Sequence, residues 1–418
     1  MVFIDFFTDP ILRPSALGSM LMCLASALVG VVIFLRKRSL IGETLSHASF
    51  PGVMSGVAIA ATLGLTEEWT SAAILVGAFL FALLGLKCLN RLEKKLRVKP
   101  DTALCFVLAS FFGLGVLIAS RLQQSSPLWY RQGLVFLYGQ AATMTNLHLA
   151  VYGIMSLIIL LFVLVCYRYL EVVNFDPSFA ETIGIKSKKL DRMMFILIVL
   201  AIVVGIRSVG VVLMAGMLIG PAIAARPWTN RLSRFFLLAG CFGILSGFLG
   251  NYLSIVIPRG QYSLPTGPMI LLTSSTFCFL SLLIAPRSGL ISRFLRVRKF
   301  QFQCAVENGL KAIWKNDKAT LTKIVRWQLW RKKWIDRNGH LTKEGKEAAE
   351  NIIRLHRLWE VYLVDYMGQK VEKVHRTAEE LEHLMSPELE RQLSELLHDP
   401  QKDPHQQPIP KRISKETI

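Results

Sequence analysis

A carboxylate and an imidazole lie four residues apart, between two long apolar stretches. Glu43 and His47 belong to the run Ser39–Ala48, with apolar residues at roughly 15–35 before it and roughly 48–63 after it. Positions i and i+4 share one face of a helix, so both side chains could bind one cation. Ionisable groups at membrane depth are costly and usually mark an ion pathway or a paired site. The pair therefore predicts passage of a divalent metal ion across a membrane. The alternative is an interfacial pair that orients its helix and binds no metal.

A second group of possible metal ligands lies near the C-terminus. Its members are spaced by three or four residues on predicted helices, and they are His356, Glu360, His375, Glu379, Glu382 and His383. Imidazole nitrogen with carboxylate oxygen suits manganese, ferrous iron or zinc. Glu and His are also common on solvated helix faces, so one such pair alone would mean little. Three interlocking pairs within about 30 residues are less ordinary, so the spacing leaves both a metal site and a solvated helix face open.

Two other kinds of chemistry have no sequence signal. The seven cysteines are scattered singly and form no CxxC pair, so neither a disulfide framework nor a cysteine zinc site is indicated. No GxxxxGK[ST] phosphate-binding loop occurs. We therefore expect no ATP to be bound by this chain, no enzymatic activity, and a separate ATPase chain as the source of ATP hydrolysis.

Composition divides the chain in two. It has 418 residues, of which 52% are hydrophobic, and its charged residues are unevenly distributed. Roughly one residue in eight is charged before residue 287 and roughly one in three after it. We expect a membrane domain at 1–288, a basic linker at 289–299 and a cytoplasmic domain at 300–418. The net charge of +19 is attributed to cytoplasmic loops and anionic membrane lipid rather than to nucleic acid.

Hydropathy predicts an all-α membrane domain with eight or nine transmembrane spans. The nine candidates run roughly over 15–35, 48–63, 70–86, 103–120, 147–167, 193–206, 209–225, 235–257 and 268–285. Placing the C-terminus in the cytoplasm puts every strongly basic loop there too. Nine spans would then leave Met1 outside the cell, and eight would leave it inside.

Two further patterns predict short or separate helices. Asp176 followed by Pro177 is a good helix start, and Gly184 is a good stop. This pattern predicts a short helix that could dock into a partner. The alternative is a loop without a function of its own. In the C-terminal domain, apolar spacing predicts helices over Ala348–Gly368 and Val374–Leu384, and a third opening at Pro387.

Residues 10–286 resemble the permease subunits of ATP-binding-cassette importers for zinc, manganese and iron. The matching stretches are Leu35–Ala48, Pro51–Val53, Phe136–Gln140, Phe175–Ile185 and Leu264–Gly267. The resemblance implies that Glu43 and His47 line the metal path, although the family often has Asp at the position of Glu43. It implies a bacterial inner-membrane location, an extracytoplasmic metal-binding protein and a second permease subunit, identical or different. It also implies an ATPase-coupling helix whose residues include Phe175, Asp176, Pro177, Phe179, Ala180 and Gly184.

The C-terminal stretch resembles the metal-binding and dimerisation domain of the diphtheria toxin repressor family. The matching runs are Leu341–Gly345, His356–Glu360, Val374–His375, Ala378–Ser386 and Asp403–Pro410. This resemblance implies one metal site made of His356, Glu360 and His375. It implies an adjoining site made of Glu379, Glu382 and His383, where Glu379 favours manganese as the sensed metal.

Two departures from that family affect the expected function. The first-helix stretch offers Asn308 and Lys311, which are poor ligands. The DNA-binding winged helix is compressed, since only about 30 residues separate Trp314 from Gly345. Its basic residues could still contact DNA phosphates, and its interleaved Trp327, Trp330 and Trp334 are predicted to be core.

We therefore expect a metal-importer permease with a cytoplasmic metal-sensing domain. The alternative is the precursor of a metal-dependent transcriptional regulator, tethered to the membrane or released by proteolysis near Arg296–Lys299.

Overall fold

A computed structural model describes residues 4–64, 66–139, 141, 144–257, 264–316, 321–381, 383 and 387–411. Two compact units divide the chain, Met1–Ser292 and Arg293–Ile418. Over the described ranges, all regular elements are helices, apart from two isolated β-bridges. The all-α fold class expected from the sequence is confirmed.

Long helices, with a few short ones between them, form the described part of the first unit. They are α1 Asp5–Thr8, α2 Leu12–Leu35, α3 Leu40–Leu63, α4 Glu67–Lys94, α5 Pro100–Ser125, α6 Pro127–Tyr138, α7 Asn146–Phe175, α8 Pro177–Thr182, α9 Ser187–Val209, α10 Val211–Ala225, α11 Leu232–Val256 and α12 Thr266–Ile284. Within the described part of the chain, eight of them are long and apolar enough to cross a membrane: α2, α4, α5, α7, α9, α10, α11 and α12. The chain is therefore a multi-pass membrane protein. Helix α6 was not predicted, because its 12 residues are too short for a span.

Helix α3 is long but carries several polar side chains. It has 24 residues, yet it is not among the eight helices that are long and apolar enough to cross a membrane. Its hydroxyls are buried but bonded within the helix, since Ser46 donates to the Gly42 carbonyl at 2.7 Å and Ser49 donates to the Ser46 carbonyl at 2.6 Å. Because such bonds satisfy buried hydroxyl groups, α3 can pack inside the bundle despite these side chains.

Glycines set how closely α3 approaches α4. A Cβ atom on Gly52 would lie 2.1 Å from the Gly77 carbonyl oxygen, and one on Gly77 would lie 2.4 Å from the Gly52 carbonyl oxygen. The two backbones therefore touch where neither residue has a side chain. Such small-residue contacts let membrane helices pack at short distance.

The boundary between α9 and α10 brings together two of the motifs that carried the permease resemblance. Gly210 interrupts the two helices with φ of +93°, and Gly139, with φ of +75°, packs against it. The third contributor is Thr266, whose hydroxyl accepts a hydrogen bond from the Ala141 amide at 2.9 Å. Both glycines adopt backbone angles that residues with a side chain rarely take.

Five helices form the described part of the second unit. They are α13 Leu290–Trp314, which begins just before the unit boundary, α14 Lys323–Arg331, α15 Lys343–Asp365, α16 Val371–Leu381 and α17 Pro387–Leu396. Helix α15 starts earlier than the apolar pattern indicated, because the Thr342 hydroxyl caps it by accepting from the Gly345 amide at 3.0 Å. Where a full winged helix would carry a β-wing, a single bridge joins Ile335 and Leu341.

Apolar clusters and one buried arginine hold the second unit together. Val306 and Leu310 of α13 pack with Val325 and Leu329 of α14. Arg354 of α15 forms an ion pair at 3.3 Å with Glu390 of α17, and it donates to the Pro410 carbonyl at 2.9 Å and the Ser394 hydroxyl at 2.7 Å. The C-terminal segment is therefore fixed onto α15. A buried charge is tolerated when it is paired in this way.

Candidate metal sites

Glu43 and His47 lie near the start of α3, and both side chains are partly buried. The His47 ring stands edge-on to the Phe112 ring of α5, with 4.9 Å between centroids. Its Nδ1 atom is buried and has no hydrogen-bond partner. An unpartnered buried nitrogen calls for an explanation, and metal binding is one. Among the residues that the structure describes, no third His, Cys, Asp or Glu completes a three-ligand group with this pair.

The predicted short helix is present as α8. Asp176 caps it by accepting from the Phe179 amide at 2.9 Å, Pro177 is its first residue, and Gly184 follows it with φ of +81°. These features confirm the predicted start and stop. Three large apolar side chains at four-residue intervals remain exposed, namely Phe175, Phe179 and Ile183, while Ala180 is buried.

Three ligands of the second unit converge. His356 and Glu360 lie one turn apart on α15, and His375 reaches them from α16. His356 Nε2 is 3.1 Å from Glu360 Oε1 and 2.9 Å from His375 Nδ1, and His375 Nδ1 is 2.9 Å from the same Glu360 oxygen. Over the described residues, this is the one three-ligand group. The sequence predicted its three members.

The carboxylate of this group is strongly perturbed. Burial by itself would raise the pKa of Glu360, but hydrogen bonds and positive charge from His356 and His375 outweigh burial and lower this pKa to about 2. The carboxylate is therefore ionised at any physiological pH, which is the form that binds metal. The Glu360 side chain is 2% exposed and that of His375 is 58% exposed, so the group is open to solvent on one side.

A pocket surrounds the three ligands. It is also lined by Lys311 and Trp314 of α13 and by Asp403 and His405 of the C-terminal segment. Asp403 is itself fixed, because its Oδ2 lies 3.3 Å from Arg357 Nε and its Oδ1 accepts from the amides of His405 and Gln407.

The structure describes two of the three members of the second predicted ligand set. Glu379 is exposed, and Glu382 lies outside the described residues. His383 contacts α13, where its Nδ1 lies 2.6 Å from Glu307 Oε2. Burial would raise the pKa of Glu307, but hydrogen bonds from His383 and Gln303 lower it overall.

Glu307 is the residue that sequence reasoning missed. The sequence analysis considered Asn308 and Lys311 as the first-helix ligands, yet the side chain that reaches His383 is that of Glu307. The charge of Glu307 could have identified it, since it is the only carboxylate in the stretch Glu307–Trp314.

Two tryptophans predicted to be core are exposed instead. Trp327 is 52% and Trp330 is 49% exposed, because α14 buries Val325 and Leu329 on its other side. Trp334 does pack against the core. The exposed face of α14 carries Lys323, Arg326 and Arg331 beside the two indoles, and the Arg331 guanidinium lies 5.3 Å from the Trp327 ring centroid.

These features define a polytopic helical membrane protein joined to a small helical unit with a group of three possible metal ligands. Residues 8–285 match the ABC 3 transport family, and residues 342–411 match the metal binding and dimerisation domain of the iron dependent repressor. The first match covers more than half of the 418 residues, so the chain belongs to the ABC 3 transport family. Both family resemblances predicted from the sequence are thereby confirmed.

The chain is similar to membrane proteins of metal transport and to a solved structure. The chain is 33% identical to a probable metal transport system membrane protein of Chlamydia trachomatis, over 98% of each protein. It is 32% identical to the manganese transport system membrane protein MntC of Bacillus subtilis, over 84% of this chain and 83% of that protein. The solved structure of PsaBC from Streptococcus pneumoniae in complex with Fab matches 71% of this chain and 98% of that chain, with TM-score 0.59 and 26% identity.

Proposed function

We propose that this membrane permease translocates manganese, ferrous iron or zinc, and that Glu43 and His47 bind the ion during passage. The observation that carries the proposal is the buried His47 Nδ1, which has no hydrogen-bond partner, one turn from a carboxylate. A neutral imidazole nitrogen and a carboxylate oxygen are the donors that these metals accept. The similar proteins named as metal or manganese transporters support the same substrate class.

A second permease subunit completes the transport site in this proposal. Glu43 and His47 offer two ligands, whereas transition metals generally bind four to six. A symmetry-related copy would add the same pair, and a related subunit would add its own equivalent. The ion would thus be held by few protein ligands and water, which allows release.

Helix α8 is proposed to receive the ATPase. Phe179 of α8 and its flanking residues Phe175 and Ile183 expose large apolar side chains, and Gly184 with positive φ follows them. An exposed apolar stripe of this size is typical of a docking surface. The ATPase and the second unit would lie in the cytoplasm, and an extracytoplasmic metal-binding protein would deliver the ion.

The second unit is proposed to sense the transported metal. The donor atoms of His356, Glu360 and His375 are 2.9 to 3.1 Å apart. Neighbouring ligands of an octahedral ion with bonds of about 2.1 Å are roughly 3.0 Å apart, so little rearrangement is needed. In the absence of metal, hydrogen bonds hold the same atoms together. Glu307 and His383 would supply a second, adjoining pair of ligands.

Transport is tested by substituting each ligand of the pair. In cells that produce the chain together with its ATPase, Glu43→Gln or His47→Ala should abolish uptake of radioactive manganese, iron and zinc. Glu171→Gln is the matched control, because Glu171 is an exposed carboxylate of α7. Immunoblots of the membrane fraction establish that each variant is present. Wild-type uptake in both ligand variants would refute the proposed permeation site.

DNA binding is a second candidate function, and the exposed basic face of α14 favours it. Lys323, Arg326 and Arg331 could neutralise phosphates, and Trp327 and Trp330 could stack on unpaired bases. Binding of labelled DNA by the purified unit 293–418 would be measured with and without manganese. Affinity that falls steeply with salt and is lost in Lys323→Gln/Arg326→Gln would support it, and no binding at low salt would refute it.

A further inference from the structure

Arg36, at the C-terminal end of α2, contacts two other helices through one guanidinium group. Its Nε donates to Asn174 Oδ1 of α7 at 3.0 Å, and its Nη2 donates to Asp191 Oδ1 of α9 at 2.5 Å. Its Cζ also lies 5.8 Å from the ring centroid of Phe195 on α9. Arginine suits this position because its rigid fork can donate to two acceptors at once.

The two acceptors flank the proposed ATPase-docking helix. Asn174 directly precedes Phe175, and Asp191 lies in the first turns of α9, the helix that follows α8. The segment between them is itself held together: Ala180 is buried, its carbonyl accepts from the Ile185 amide at 3.0 Å, and Ser187 donates to Glu181 Oε1 at 3.1 Å. A displacement of α8 would therefore move both acceptors of Arg36.

On its other side, Arg36 is coupled to the helix that carries the metal-binding pair. It caps α2, and a tight turn leads into α3. In that turn Lys37 has φ of +55°, and the amide of Lys37 donates to the Phe34 carbonyl at 3.0 Å. Glu43 stands in the first turn of α3. A movement of the guanidinium is thus passed through a short hydrogen-bonded turn to the start of the ligand helix.

The ion pair is strong enough to act in this way. The Arg36 side chain is 18% exposed and that of Asp191 is 39% exposed, so solvent screens the pair only in part. Hydrogen bonds between ionised partners are about twice as strong as neutral ones. Arg38, two residues further on, pairs instead with Glu93 of α4 at 3.1 Å and contacts neither flank of α8.

We propose that Arg36 is a positioning residue that couples movement of α8 to the Glu43–His47 pair. This inference rests on the proposed transport function. When the ATPase displaces α8, Asn174 and Asp191 carry Arg36 with them, and the α2–α3 turn shifts the start of α3. Without the Arg36–Asp191 ion pair, ATP hydrolysis would continue, but it would no longer drive release of the metal ion from Glu43 and His47.

The experiment compares uptake with ATP hydrolysis in the full transporter, reconstituted with its ATPase in liposomes and supplied with manganese as the probe. Arg36→Gln and Asp191→Asn should each lower manganese uptake per ATP hydrolysed by about tenfold, within the usual range of coupling energies between sites. The ATPase should stay bound and active in both variants. Arg38→Gln, the matched control, should change the ratio by less than about twofold, because Arg38 pairs with Glu93 of α4 rather than with a residue that flanks α8.

A charge exchange separates coupling from folding. The variant Arg36→Asp/Asp191→Arg should recover much of the uptake that Arg36→Asp loses, because the ion pair is restored with reversed polarity. Unchanged coupling in Arg36→Gln would overturn the proposal, as would a well-folded exchange variant with no recovery. If the wild-type transporter itself takes up no metal, the transport function fails instead, so the two failures are distinguishable.

Discussion

The two ligand groups hold their donor atoms in different ways. His47 Nδ1 has no hydrogen-bond partner, whereas the donors of His356, Glu360 and His375 already contact one another. An ion that binds His47 Nδ1 displaces no protein hydrogen bond from that atom. An ion entering the second unit must replace shared protons, which ties its binding to pH. The arrangement in the membrane pair suits an ion that passes through. The arrangement in the second unit suits an ion whose binding depends on conditions such as pH.

The Glu360 carboxylate predicts a pH dependence of the metal-free second unit. Its pKa is lowered from an ordinary 4.5 to about 2, so the stabilisation it gives is complete above about 4.5 and is lost as pH falls toward 2. The reason is that the ionised carboxylate accepts hydrogen bonds from His356 and His375 and attracts their positive charge, and protonation of the carboxylate removes both interactions.

Hydrogen exchange in α15 and α16 of the full chain, with chelator present, measures this effect. Amide protection, taken relative to the intrinsic exchange rate at each pH, should fall between pH 4.5 and 2 in the wild type and much less in Glu360→Gln, whose protection is lower already at pH 5. An equal loss of protection in both proteins would contradict the assigned role of Glu360.

At the scale of the helix, the exposed apolar face of α8 predicts where docking of the ATPase can be disrupted. Phe179→Asp places a charge in the exposed apolar face of α8, where a docked ATPase would have to bury it. Uptake and metal-stimulated ATP hydrolysis should both be lost, with the permease still in the membrane. Ser178→Asp adds the same charge at an adjacent exposed position and should retain most activity. Survival of both activities in Phe179→Asp would show that α8 is not the docking helix.

Close packing of α3 on α4 predicts a stability effect. Gly52→Ala would place a methyl group 2.1 Å from the Gly77 carbonyl oxygen, so the helices must separate. Overpacking of this kind costs about 1–3 kcal/mol. We expect a lower melting temperature for the full chain in detergent. Gly113→Ala is the control, since its Cβ would meet nothing within 4 Å. A Gly52→Ala variant as stable as the control would contradict the described contact.

At the scale of the whole molecule, metal should stabilise the second unit selectively. A ligand that binds only the folded state adds about 2.7 kcal/mol at a hundredfold excess over its Kd. Manganese should therefore slow hydrogen exchange in α15 and α16 of the full chain, and more weakly below about pH 6, where imidazole is protonated. His375→Ala should remove this protection, whereas His398→Ala, at an exposed position of the same unit, should not. No protection at millimolar manganese, iron or zinc would remove the sensing role.

The sequence by itself determined the elements of this protein and most of its candidate ligands. Hydropathy located the long helices, because a span needs about 20 apolar residues whatever its neighbours are. Helical spacing brought His356 to Glu360, and the Asp176–Pro177 start fixed α8, because both depend on contacts within one or two turns.

Tertiary structure decided what depends on contacts between distant segments. It joined His375 to the ligands of α15, and it placed Glu307, rather than Asn308 or Lys311, against His383. It turned two tryptophans of α14 outward, since Val325 and Leu329 were enough to anchor that short helix. It also brought Arg36 to Asp191, a partner 155 residues away. No local pattern records such pairs, because the free energy that selects them comes from packing the whole bundle.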